Sequence, residues 1–288
     1  MLYQNITVVN IDGRAGDLRG GPMAIARGCH ELPGSKGLLL SPQRPESLID
    51  GIEHVPIQPL GYFDYGVFVL YALHALVKTD FALIVQEDGW VLSGDCWSNE
   101  FFSYDLIGAP VHLARVTPGS ESKILRHFHW ADFLDQPDTT VDIVLNGGFS
   151  LRSRRMLEAP LRLSEAFVLP PPSGLIGPPW GMAWESDLHL EDVQLCLQMR
   201  TVLERTGMRY CPLQLACRFA FEHLCPVLHD RLDLGQVFGQ HSKLRRLRSI
   251  DPSVVAYTQS RASLADSYHD EDRVAALLRR RGFDVVYS

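Results

Sequence analysis

Short apolar runs rich in β-branched residues alternate with helical segments over roughly the first 90 positions of the chain. Ile6–Ile11 (ITVVNI), Gly37–Ser41 (GLLLS), His54–Ile57 and Phe81–Gln86 (FALIVQ) read as strands. Ala24–Cys29 reads as a short helix, and Tyr62–Lys78, long and largely apolar, as a helix packed on a sheet. Strands alternating with helices predict an α/β fold, with a mostly parallel central sheet flanked by helices.

Downstream, Trp97–Ser103 reads as a short helix and Leu106–Ala109 and Val141–Leu145 as strands, while Pro110–Asp142 lacks periodicity and reads as loop. Leu151–Glu158 is expected to be helical. Pro170–Trp184 is a Pro/Gly-rich loop whose Trp180 and Trp184 either fold over a ligand as a lid or pack on the core. Glu191–Arg205 is the clearest helix, with Leu195, Cys196, Met199, Val202 and Leu203 on one face and Gly207 ending it. Met208–Cys211 reads as a strand and Asp272–Arg281 as an amphipathic helix.

Composition narrows the class. Hydrophobic residues make up 46% and charged residues 21%, which excludes a disordered chain. The longest apolar stretch, Val67–Val77, is broken by Tyr71 and His74, so no membrane span is expected. A net charge of −7 is not that of a protein that packages nucleic acid. The charge is uneven: from Ser242 onward nine Lys/Arg face six Asp/Glu, and the body before it is strongly acidic. The six cysteines form no CxxC pair, which argues against structural zinc, and Met1–Leu2 runs almost directly into a strand. A cytoplasmic protein with reduced thiols is the simplest expectation.

Four segments carry candidate chemistry. Gln86-Glu87-Asp88-Gly89 ends an apolar strand, where open α/β sheets bind ligands. Its carboxylates either face water at a turn or hold a divalent metal that neutralises a diphosphate. Asn146-Gly147-Gly148 lets backbone approach a ligand closely, and Arg152, Arg154 and Arg155 follow with positive charge. Glu191-Asp192-Val193 opens the clearest helix, where acids either meet the helix dipole or supply a general base. His241, in Phe238-Gly239-Gln240-His241, is a candidate metal ligand, whereas most of the eleven histidines are expected to be structural or solvated.

In this order the boxes resemble the GT-A class of nucleotide-sugar glycosyltransferases, and within it the Fringe-like enzymes. They are more similar still to a glycosyltransferase-like family with a QxDG strand end, YDxIGAP, NGGFSLRSR, EDV and FGxH. Here these stand as Gln86–Gly89, Tyr104–Pro110, Asn146–Arg154, Glu191–Val193 and Phe238–His241, with Trp97 between the first two, and the resemblance spans about residues 5–242.

The resemblance implies a GT-A, Rossmann-like domain over 1–242, with a basic, mostly helical C-terminal extension over 243–288. It implies transfer of a sugar, with inversion, from a nucleotide-diphosphate donor, expected to be a UDP-sugar, assisted by Mn²⁺ or Mg²⁺. Asp88 and His241 would be the metal ligands, with Gln86 standing where the family has its first acid. Asp192 would be the catalytic base, and its place at a helix start predicts a lowered pKa. Val9, Asn10, Ile11 and Asp12 would contact the donor nucleotide, together with Gln86 and Glu87. Asn146, Gly147 and Gly148 would line donor sugar and acceptor. Lys243, followed by Arg245, Arg246 and Arg248, lies close in sequence to the diphosphate site. The acceptor would be a glycan, a lipid-linked glycan or a hydroxymethylated base in DNA. Gln86 in place of an acid favours a different class, a catalytically silent nucleotide- or glycan-binding module.

Overall fold

The computed structural model describes the chain except residues 1, 15, 17–19, 47, 164–172, 179–180, 184–186 and 249–252. In chain order the strands are β1 (Ile6–Ile11), β2 (Lys36–Ser41), β3 (Ile52–Pro56), β4 (Phe81–Ile84), β5 (Gly89–Val91), β6 (Leu106–Pro118), β7 (Lys123–Leu125) and β8 (Thr139–Ser153). There follow β9 (Gly174–Ile176), β10 (Gly181–Ala183), β11 (Ala220–Phe221), β12 (Gly239–His241), β13 (Arg245–Leu247), β14 (Val254–Tyr257) and β15 (Asp284–Val286). The helices that matter below are α1 (Gly21–Glu31), α2 (Tyr62–Tyr71), α3 (Leu73–Leu76), α4 (Arg154–Arg162) and α5 (Glu191–Val193).

A seven-stranded sheet runs β3-β2-β1-β4-β8-β6-β7. The first four strands are mutually parallel. β8, β6 and β7 join them antiparallel, so the sheet is mixed rather than mostly parallel. α1 links β1 to β2 and α2 and α3 link β3 to β4, whereas the parallel pair β2 and β3 is joined without a helix; β6 and β8 pair as a long antiparallel ladder.

The first strands are apolar on both faces because both faces are covered. Ile6 and Val8 of β1, with Leu39 and Leu83, pack in the cluster holding Ile25 of α1. Val9 and Ile11, with Leu38, Leu40, Ala82 and Ile84, pack against Val69, Leu73 and Leu157 of the helices α2, α3 and α4. The chain thus passes from one face to the other between β1 and β4, which opens a crevice beyond their carboxyl ends.

Several local expectations change. Pro110–Asp142 is mostly strand: Pro110 sits where the β6–β8 register shifts, and a bulge is where a sheet tolerates proline. Leu151 and Arg152 belong to β8, and α4 starts only after Ser153, whose hydroxyl accepts from Met156 N at 3.1 Å. The helix expected over Glu191–Arg205 is interrupted by a π-turn at Gln194–Gln198, closed by Met199 N to Gln194 O at 2.8 Å. There Tyr210 donates to the Leu195 carbonyl at 2.6 Å and the buried Cys196 Sγ accepts from Leu145 N at 3.3 Å.

Residues 243–288 are not mostly helical. They form a three-stranded sheet, β13-β14-β15, with two helices, α6 (Arg261–Ser267) and α7 (Glu271–Arg280). Leu244, Leu247, Val255, Val274 and Leu278 lie in the same cluster as Ile6, Val8 and Phe149. Among the described residues no helix is long and apolar enough to cross a membrane. The tryptophans of the 170–184 loop lie outside the described residues, while β9 and β10 within it pair antiparallel.

Candidate active site

The crevice is a cavity of about 460 Å³. The end of β1 supplies Asn10, Ile11 and Asp12; the end of β4 supplies Gln86, Glu87 and Asp88; β8 supplies Asn146, Gly147 and Gly148; α5 supplies Asp192; and β12 supplies His241. These sequence-derived candidates come from blocks scattered along the chain, and the fold brings the blocks to one cavity. Two candidates are placed elsewhere. Val9 is fully buried beneath the sheet, offering only its carbonyl, to Val85 N at 2.9 Å. Lys243 is exposed and does not line the cavity.

A bulge aims the glycine pair. Pro110 of β6 pairs with Leu145 and Gly108 with Ser150, so Ala109 faces Asn146–Phe149, four residues of β8. Both glycines are sterically required at the crowded wall. A Cβ on Gly147 would lie 2.1 Å from Glu191 Oε1, and one on Gly148 would lie 2.3 Å from Gln86 Oε1 and 2.7 Å from His241 Nε2. Gly148→Ala is therefore expected to displace Gln86 and His241 and to destabilise the fold by about 1–3 kcal/mol, measured by denaturant unfolding.

Arg152, expected to add free positive charge near the glycines, is instead buried and paired with Glu191 at 2.8 and 2.9 Å. Arg154 points away to the Thr79 carbonyl at 3.3 Å, and Arg155 to the Gly207 carbonyl at 3.1 Å. Among the described residues the acidic turn is met by Arg14, which no motif marks, and by Arg246, one of the basic residues expected after His241. Arg14 is a cavity-lining residue that donates to Asp12 Oδ1 at 2.8 Å and to Glu87 Oε2 at 2.9 Å. Arg246, rather than Lys243, donates to Glu87 Oε1 at 3.2 Å. Lys243 lies in the turn before β13, whereas Arg246 is within β13, which Leu247 N ties to the Glu87 carbonyl at 2.8 Å.

Asp192 Oδ2 accepts from Gly147 N at 3.2 Å and Oδ1 from Val193 N at 2.8 Å. Its carboxyl is nevertheless pushed up to about 7, first by burial and then by the adjacent Glu191 charge. This reverses the expected lowering. Burial and the Glu191 charge outweigh the two backbone N–H donors that favour the anion. Tyr65, which the sequence places within a core helix, lines the cavity and accepts from Gln86 Nε2 at 2.9 Å.

Asp88 Oδ1 and His241 Nε2 face each other at 3.6 Å. Two ligands of one small divalent ion, at about 2.1 Å each, stand roughly 3.0 Å apart when adjacent and about 4.2 Å when opposite, so the pair fits one ion. Among the described residues no three His, Cys, Asp or Glu side chains are grouped for a metal, so the remaining ligands would come from the substrate or water.

The fold and crevice define an α/β protein with a cleft at the carboxyl ends of its parallel strands. The chain belongs to the family described as protein of unknown function (DUF5672), whose profile matches residues 69–241. That span includes Gln86–Asp88, Asn146–Gly148, Asp192 and His241, and leaves out β1 and the 243–288 segment. Comparison with curated proteins finds no match.

Proposed function

We propose that this chain is a GT-A glycosyltransferase that moves a sugar, with inversion, from a UDP-sugar to an acceptor hydroxyl. The observation that carries the reading is the convergence of Asp88, His241, the Asn146–Gly148 bulge and a proton-accepting Asp192 on one cavity. Asn10, Ile11 and Asp12 form the wall for the nucleotide. Asp88 and His241 would hold Mn²⁺ or Mg²⁺, which when bound supplies positive charge against the diphosphate.

Asp192 takes the proton of the acceptor hydroxyl as that oxygen bonds to the anomeric carbon. The bond from that carbon to the diphosphate oxygen breaks, and its electron pair leaves on the diphosphate. A carboxyl near 7 suits this task better than an ordinary one, because its anion is more basic. Arg14 and Arg246, held meanwhile by Glu87, are the side-chain cations at hand for the leaving group. Gly147 and Gly148 leave room for the sugar.

Among the described residues five carboxylates and one arginine line the cavity, which favours an uncharged glycan or lipid-linked glycan over a polyanionic acceptor. The six unpaired cysteines suit a cytoplasmic setting. A second reading, a silent nucleotide- or glycan-binding module, is favoured by Gln86, an uncharged side chain that donates to Tyr65 Oη at 2.9 Å.

A thermal-shift panel of UDP- and GDP-sugars with Mn²⁺, followed by donor hydrolysis, tests both. Stabilisation of about 2 kcal/mol or more at 100 Kd of a UDP-sugar, with hydrolysis, supports the enzyme. Stabilisation without hydrolysis supports the silent module, and no shift with any nucleotide overturns both.

A further inference from the structure

His241 sits between two carboxylates, and only one of them belongs to the cavity wall. Its Nε2 faces Asp88 and the cavity, while its Nδ1 is buried and makes no hydrogen bond among the described residues. The carboxylate facing that buried nitrogen is Glu222, with Oε1 at 3.9 Å. Glu222 follows β11, which runs parallel to β12 with Phe221 opposite Gln240, so the register sets Glu222 beside His241. Its other oxygen, Oε2, accepts from Asn146 Nδ2 at 3.0 Å, and Asn146 Oδ1 accepts from Phe149 N at 3.0 Å, which fixes the orientation of that amide. The Glu222 carbonyl is held in turn by the buried Arg245 at 2.8 Å. Glu222 itself does not line the cavity and belongs to none of the sequence motifs.

The geometry points to Glu222 as the positioning residue of this site: it directs the proton of His241 to Nδ1, keeps Nε2 as the lone-pair nitrogen facing the cavity, and anchors Asn146 at the start of the bulge. A bare Nδ1 lone pair would be buried, unsolvated and set against a carboxylate. A bare Nε2 opens onto the cavity, where water or a cation can meet it. The two carboxylates are similarly exposed, so what separates the two nitrogens is that Nδ1 is buried and Nε2 opens onto the cavity. At 3.9 Å the carboxylate acts through its field rather than as a hydrogen-bond acceptor, and its direct bond is to Asn146. One carboxylate thereby couples the glycine box to the late histidine, two motifs far apart in the chain. The proton placement is independent of the glycosyltransferase reading, and only the part played by the cation rests on it.

The test uses the full chain labelled with ¹⁵N at histidine and asparagine. Long-range ¹H–¹⁵N NMR reads the His241 tautomer in wild type, Glu222→Gln and Glu222→Ala, and calorimetry reads UDP affinity with Mg²⁺. Wild type is expected to carry the proton on Nδ1. Glu222→Gln retains an oxygen for Asn146 but removes the charge, so the Nε2–H tautomer should grow while the Asn146 amide resonances stay in place. Glu222→Ala should move both, and Mg²⁺-dependent UDP affinity should fall about 10- to 100-fold, as when an outer-shell partner of a metal-binding histidine is lost. If Glu222→Ala does not fold, Glu222→Gln alone decides. A wild-type proton on Nε2, or a tautomer unchanged in Glu222→Gln, overturns the proposal. Absence of UDP binding in wild type overturns the glycosyltransferase reading and leaves the tautomer result to decide the role of Glu222.

Discussion

Asp192→Asn is expected to lower sugar transfer about 100-fold or more while making the protein more stable above pH 7. The first effect follows from removing the proposed general base, a role that contributes about 10²–10⁴. The second follows from linkage. The folded carboxyl sits near 7 against an ordinary value of 3.8, because burial and Glu191 disfavour its anion. The folded state therefore binds the proton more tightly than the unfolded chain, and wild-type stability falls as pH rises between those two values. Asparagine does not titrate there. The gain should be full above pH 7, shrink on acidification and vanish below about pH 4. A proton held about a thousandfold more tightly in the folded state corresponds to about 4 kcal/mol in full. Access of Asp192 to cavity water, and asparagine's single acceptor for the Gly147 and Val193 amides, reduce this to about 2 kcal/mol, or roughly 4–8 °C in Tm. Melting curves at pH 5 and pH 8 beside transfer assays check it. Equal melting of the two proteins at pH 8 would mean that Asp192 is not held near neutrality. The wild-type rate should likewise climb with pH through about 7 and then level as the base ionises.

Glu271→Ala should destabilise the fold by about 3–5 kcal/mol, or roughly 6–20 °C in Tm. Arg245 is fully buried and pairs with Glu271, which also accepts from the Tyr257 hydroxyl at 3.0 Å. Removing the carboxylate strands a guanidinium in the core. The damage should reach the site as well, because Arg245 Nε donates to Gln240 at 2.9 Å, one residue before His241. Glu271→Gln, which keeps an acceptor but not the charge, should fall between. Thermal and denaturant unfolding measure the loss. A change under about 1 kcal/mol would show that the 243–288 segment is dispensable to the core it enters.

The parts of this protein that are legible in the sequence are local in origin. ITVVNI and FALIVQ are apolar at nearly every pleat position, so they had to be strands covered on both faces, and the strand–helix alternation around them had to give an α/β core. Pro110–Asp142 reads as loop because proline usually breaks a strand, whereas here it falls on a bulge. The long apolar pattern of Glu191–Arg205 fits a helix and a π-turn equally well, and Tyr210 and Leu145, distant in sequence, hold the turn.

The same division runs through the site. The glycines, Gln86–Asp88, Asp192 and His241 can be found because each block has its own residue pattern and fixed order. Their chemical states cannot. Whether a carboxylate at a turn is ordinary or sits near 7, whether Arg246 or Lys243 meets Glu87, and whether a glutamate with no motif stands behind His241 depend on burial and on neighbours supplied by other strands. The sequence alone determined the motif residues that could take part and the α/β class of the fold that gathers them. Only the tertiary structure decided which are desolvated, which are paired and which face the cavity, because field and solvent access are set by contacts between residues far apart in the chain.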